Sequence, residues 1–106
     1  MEEQTRHRVQ HAIAQALAAG GFANVEQAAW EVSMTVALSK VSAYERECDA
    51  FRRKYGESLA ELKARVEAEF GQEDFAVEDD IAEWELAEAA LAGWRHRTEI
   101  LRSAAP

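Results

Sequence analysis

Trp30, Met34, Ala37, Val41, Tyr44, Cys48, Phe51 and Tyr55 follow one another at alternating steps of four and three residues. At 3.6 residues per turn this spacing keeps all eight on one side of a single helix, and most of the stability of such a helix comes from what its stripe packs against. The chain must therefore supply a second surface, from its own sequence or from another molecule. The only proline is the last residue, so nothing interrupts a helix of this length.

Glycines punctuate the remainder. Gly20 with Gly21, Gly56 and Gly71 each follow a segment whose apolar residues recur three or four apart, as helix C-terminal glycines do. Four helices are predicted. The first, over 3–19, places Val9, Ala12, Ile13, Ala16 and Leu17 on one side. The second opens on Asn24, with Gln27 as a capping-box partner, and runs to Tyr55. In the third, Ser58 and Glu61 form another capping box, Leu59, Leu62, Val66 and Phe70 share a face, and Gly71 ends the helix. The last begins near Val77 and carries Ile81, Trp84, Ala87, Leu91, Trp94, Thr98 and Leu101 in one stripe, acidic at its start and basic at its end, as the helix dipole prefers.

The second helix has a further apolar side made of Val25, Ala29, Val32 and Val36. Two apolar sides call for two packing partners, which the reading assigns to the first helix and to either the C-terminal helix or a second subunit. The rival is a strand over Val32 to Leu38, where apolar and small polar residues alternate. The unbroken seven-residue repeat favours helix. The expected fold is thus all-α, an antiparallel bundle of about four helices with one long central helix, dimeric through that helix. Trp30, Met34, Val41, Tyr44, Phe51 and Tyr55 form its core or its dimer seam.

A length of 106 residues with 48% apolar content fits one domain over residues 1–106, with residues 1–22 as a loosely attached N-terminal helix. Much of the apolar share is Ala, which leaves thin side-chain volume and favours homo-oligomerisation. No apolar run is long enough to cross a membrane, the N-terminus lacks the layout of a signal peptide, and Cys48 is a lone cysteine. The expected location is the cytoplasm.

Charge is segregated. Between Glu73 and Glu88 lie eight carboxylates (Glu73, Asp74, Glu78, Asp79, Asp80, Glu83, Glu85, Glu88) and no Lys or Arg, so this stretch holds the whole formal net charge of -8. Such a field attracts cationic partners and repels nucleic acid and anionic lipid. The basic triplet Arg52, Arg53 and Lys54 is flanked by Glu45, Glu47 and Asp49, which argues against phosphate binding. His7 and His11 sit four apart on a helix that begins the chain and make a weak metal site. Asp80 with Glu83, and Glu85 with Glu88, have a spacing at which both side chains reach one ion, but the Glu-x-x-His element of di-iron bundles is missing. Neither a phosphate-binding glycine loop nor a nucleophile with its base is recognisable. No catalysis, cofactor or resident metal is expected.

The run Tyr44, Glu45, Glu47, Cys48, Phe51, Lys54, Tyr55, Gly56, Ser58 and Leu59, continued by Phe75, Asp79, Asp80, Glu83, Trp84 and Glu85, resembles a group of short prokaryotic proteins. In that group a YExExxxFxxKYG segment leads through an S-x-x-E turn to an acidic, Trp-containing helix. The resemblance covers residues 40–95; relatives carry Met and Phe in the turn where this chain has Glu57 and Leu59. It implies a small helical protein encoded beside a toxin, hence an antitoxin whose protein partner is a basic toxin. On that reading Asp79, Asp80, Glu83 and Glu85 steer to the partner and Trp84 anchors it, unless Trp84 belongs to the core. Two other classes of function stay open: a self-associating helical scaffold, and a nucleotide hydrolase holding Mg²⁺ or Mn²⁺ on Asp80, Glu83, Glu85 and Glu88.

Overall fold

The computed structural model describes residues 1–69 and 74–106, and those residues form four helices and no strand: α1 (Glu2–Ala19), α2 (Val25–Tyr55), α3 (Leu59–Ala68) and α4 (Phe75–Ser103). Val32 to Leu38 is helical, as the seven-residue repeat requires.

Local chemistry sets the helix ends. Past α1, Gly21 takes φ 93° and donates its N–H to Ala18 O at 3.1 Å, while Phe22 N–H reaches Leu17 O at 3.0 Å. This paired closure turns the chain sharply and favours glycine at the left-handed position. Asn24 then caps α2, its Oδ1 accepting the Gln27 N–H at 2.8 Å. The Gln27 side chain returns to Ala23, one residue earlier than in a capping box, accepting its N–H at 2.8 Å. At the far end Gly56 has φ 67° and donates to Arg52 O at 2.7 Å. Ser58 Oγ accepts the Glu61 N–H at 3.1 Å and so starts α3. The start of α4 falls two residues before the expected Val77, because Asp74 acts as the cap and accepts the N–H groups of Ala76 and Val77. Phe70, Gly71 and Glu73 lie outside the described residues.

α2 and α4 pair antiparallel. Trp30 Nε1 donates to Leu101 O at 2.7 Å at one end, Arg95 meets Glu45 at 2.9 Å midway, and Lys54 meets Asp80 near the other. α3 packs across this last, closed end. The core consists of Cys48, Leu62, Trp84, Ala87 and Leu91, surrounded by half-buried Val41, Tyr44, Phe51, Tyr55, Leu59, Val66, Val77 and Ile81. Trp84 is wholly buried and stacks on Phe51 and Tyr55, with ring centroids 5.6 and 6.3 Å away and planes within 16° and 15° of parallel. Its indole N–H donates to Glu88 Oε1 at 3.1 Å, so the burial strands no polar atom.

The long stripe on α2 thus finds its partner in α4 of the same chain. Val41, Tyr44, Phe51 and Tyr55 belong to the core periphery, and Trp30 and Met34 are half-buried in line with them. The stripe is core, and a dimer seam along it is already occupied. The second apolar side of α2 is a different matter, since α1 does not cover it. No residue of α1 is buried, and Val9 and Ile13 remain 52% and 45% exposed. The molecule measures 66 × 31 × 19 Å with a radius of gyration of 21.6 Å. A compact chain of this length has about 13 Å.

Trp84→Ala is expected to lower stability by about 3–5 kcal/mol, the range for deleting a buried aromatic that partners two others. Urea denaturation followed by far-UV circular dichroism measures it; a loss below about 1 kcal/mol means that the stack does not organise the pair.

Candidate functional site

The acidic start of α4 carries carboxylates of two kinds. Asp80, Glu85 and Glu88 face neighbouring helices. Asp80 Oδ2 accepts from both Lys54 Nζ and the Tyr55 hydroxyl, Glu85 pairs with Lys63 at 3.1 Å, and Glu88 Oε1 accepts from Arg52 Nη2 at 3.1 Å beside the Trp84 indole. The basic triplet of α2 therefore contributes two of its three cations to the acids of α4. Asp79, Glu83 and Glu78 are exposed and have no ion-pair partner among the described residues.

Titration follows from these contacts. The hydrogen bond from Lys54, and then that from Tyr55, holds the Asp80 carboxyl below the usual carboxylate range. Burial, together with the bond to Asp80, pushes the Tyr55 phenol up to about 12. Burial also pushes the Cys48 thiol up to about 11, helped by the Glu88 carboxylate beside it. A buried, protonated thiol is a poor nucleophile at neutral pH.

The expected partner-binding set is therefore split. Asp79 and Glu83 are displayed outward, Glu85 is exposed but paired with Lys63, and Asp80 is drawn into the α2–α4 contact. Trp84 is core, so it cannot be the exposed anchor of a binding surface; the same stripe that puts it on α4 turns it inward against Phe51 and Tyr55. Two apolar residues of α4 are exposed instead: Phe75 at 68% and Leu86 at 72%. At 100° per residue these two share one line along the helix, with Asp79 between them and Glu78 and Glu83 on either flank, opposite Trp84. An angular reading of α4 on its outer side contains that signal.

The candidate metal pairs diverge. Asp80 is bound to Lys54 and Tyr55 while Glu83 points to solvent, and Glu85 and Glu88 serve cations on different helices. Among the described residues no three His, Cys, Asp or Glu side chains converge as an ion would require. His7 and His11 are exposed, and no described helix is long and apolar enough to cross a membrane.

A second feature lies at the open end of the α2–α4 pair: an apolar groove of about 420 Å³ lined by Val32, Ser33, Val36, Trp94, Arg97, Ile100 and Leu101. The Arg97 guanidinium lies 4.8 Å over the Trp94 ring on its wall. No protein family, curated protein or solved structure matches the chain.

Because folding lowers the Asp80 pKa, its contribution to stability is complete above the unfolded value of about 4 and is lost as pH falls through the lower folded value. Asp80→Asn is expected to be less stable than the parent at pH 6 to 7 and to flatten the acid limb of the stability profile. It is also expected to move the Tyr55 phenol back toward its ordinary value of about 10. Urea midpoints between pH 2 and 7, with an ultraviolet titration of tyrosine, check both; unchanged profiles would show that the Asp80 contact contributes nothing.

Proposed function

We propose that this chain acts by binding another protein, and that its role is that of an antitoxin which neutralises a co-encoded, basic toxin. The observation that carries the reading is the outward face of α4. Asp79, Glu78 and Glu83 there are exposed and free of ion pairs among the described residues, and they are set between exposed Phe75 and Leu86. Opposite charge raises the rate of encounter, and apolar side chains that become buried on contact supply holding energy. A face with both properties suits a basic cleft. The resemblance of residues 40–95 to proteins encoded beside toxins supports the same reading and names the kind of partner.

The surface is a revision of the simpler one in which Trp84 anchors the partner. Phe75 and Leu86 now anchor it, while Trp84, Asp80, Glu85 and Glu88 hold the face rigid from behind.

Asp79→Lys with Glu83→Lys is expected to weaken binding to the neighbouring gene's product at least 100-fold, mainly through slower association and with a reduced salt dependence. Leu86→Ala is expected to cost about 1–3 kcal/mol through faster dissociation. Surface plasmon resonance at two ionic strengths separates these effects, and co-expression tests rescue of growth. A neighbour that is harmless when expressed alone removes the toxin; intact binding by all three substitutions removes the surface.

A further inference from the structure

The joint between α1 and α2 is fixed at each step. Gly21 and Phe22 close α1 on Ala18 and Leu17, the Gln27 side chain holds the Ala23 N–H, and Asn24 caps α2. A joint so bonded sets the direction in which α1 leaves α2. The 66 Å long axis exceeds the roughly 46 Å that the 31 residues of α2 span, so the molecule reaches well beyond its longest helix. The apolar side of α1 at Val9 and Ile13 is therefore held away from the apolar groove of its own chain.

The area left open is large. The accessible surface is 7943 Å², whereas a compact monomer of 11.9 kDa exposes about 6,000 Å². An excess near 2,000 Å² per chain corresponds to the area that obligate homodimers bury, about 2,000–5,000 Å² in total. Among the exposed apolar side chains, Val9 and Ile13 lie on α1, and Val32 and Val36 on the outer side of α2, where Val32 is 61% exposed. Charges complement one another across them. Arg6 and Arg8 flank the α1 stripe, Glu26 and Glu31 flank the α2 valines, and none of these four has an ion-pair partner among the described residues. That arrangement resembles charged positions flanking a coiled-coil seam.

We propose that the occupant of this face is a second copy of the chain: each copy lays its α1 against the Val32 and Val36 side of its partner's α2, and the two groove walls close on one another. This dimer is unlike one formed along the Trp30-to-Tyr55 stripe, which α4 covers. It does not depend on the toxin reading, because the two surfaces share no residue: the toxin face lies on the first turns of α4, and the dimer face on α1, the outer side of α2 and the last turns of α4.

Sedimentation equilibrium of the full chain at about 100 μM is expected to give twice the 11.9 kDa chain mass. Ile13→Glu and Val32→Glu, both at exposed positions, are each expected to raise the dimer dissociation constant at least 100-fold with the far-UV spectrum retained per residue. Ile13→Ser and Val32→Ser serve the same purpose should a glutamate unsettle its helix. A wild-type chain that sediments at single mass overturns the proposal and leaves the face to a different partner or to α1 of the same chain. A dimer that survives both substitutions overturns the assigned surface. Asp79→Lys is expected to leave the dimer mass unchanged, so a failure of toxin binding and a failure of self-association are distinguishable.

Discussion

The stacking of Trp84 on Phe51 and Tyr55 sets how α4, and with it α3, lies on α2. On α4, Val77, Trp84, Leu91 and Thr98 recur at seven-residue intervals, as do Asp80, Ala87, Trp94 and Leu101. The α2 stripe has the same period, so the two helices can meet over their full length as an antiparallel seam. Small residues face the largest ones along it. Ala87 and Cys48 are fully or almost fully buried beside the indole, and Ala37 is buried further along the seam. With the seam closed, Leu59, Leu62 and Val66 have one place to pack, over the Trp84 end, and α3 follows.

Asp80 is the exception within that repeat, a carboxylate at a position the pattern reserves for apolar residues. Partial burial of an acid is costly unless charged and hydrogen-bonding partners meet it. Here Tyr55, the last residue of α2, and Lys54 both donate to the same oxygen. The contact forms only when the end of α2 lies beside the first turns of α4. It therefore favours one register over a slipped one, a role well attested for polar residues in helical seams. The charge segregation of the sequence acquires a structural meaning in this way. A block with no cations of its own draws Lys54, Arg52 and Lys63 from two other helices, and the remaining acids face water because the seam has used the other side of the helix.

Local features of this fold were legible in the residues and pairwise ones were not. Asn24, Ser58, Gly21 and Gly56 determine helix ends through bonds to residues within a few positions, and the helix ends lie where those signals place them. Asp74 differs only because several acids crowd the same turn and the sequence does not say which of them is extended. Whether the α2 stripe meets α4 or another subunit depends on contacts separated by 30 or more positions, and periodicity is silent about them. The same ambiguity governs the candidate site. Trp84 belongs both to an acidic run and to an apolar stripe, and only the packing decides between anchor and core. Phe75 is legible only as part of the resemblance and Leu86 not at all, because each is solitary in sequence, although they share a line on the helix.

A pair of long helices with one seam has an inherent deficit of interior. Every residue beyond the seam and the α3 contact has water on at least one side, and a core containing one tryptophan, two leucines and several small residues excludes little surface. Such a chain can remain soluble if its outer faces are polar throughout. This one exposes Phe75 and Leu86 on the outside of α4, Val32 and Val36 on the outside of α2, and Val9 and Ile13 on α1. Uncovered Val32 and Val36 on α2, with Val9 and Ile13 on α1, resemble half of a core more than a surface. The two open faces also differ in kind: the α4 face joins charge to two isolated apolar side chains, as interfaces that form and separate do, while the α1–α2 face is broad and aliphatic, as permanent ones are.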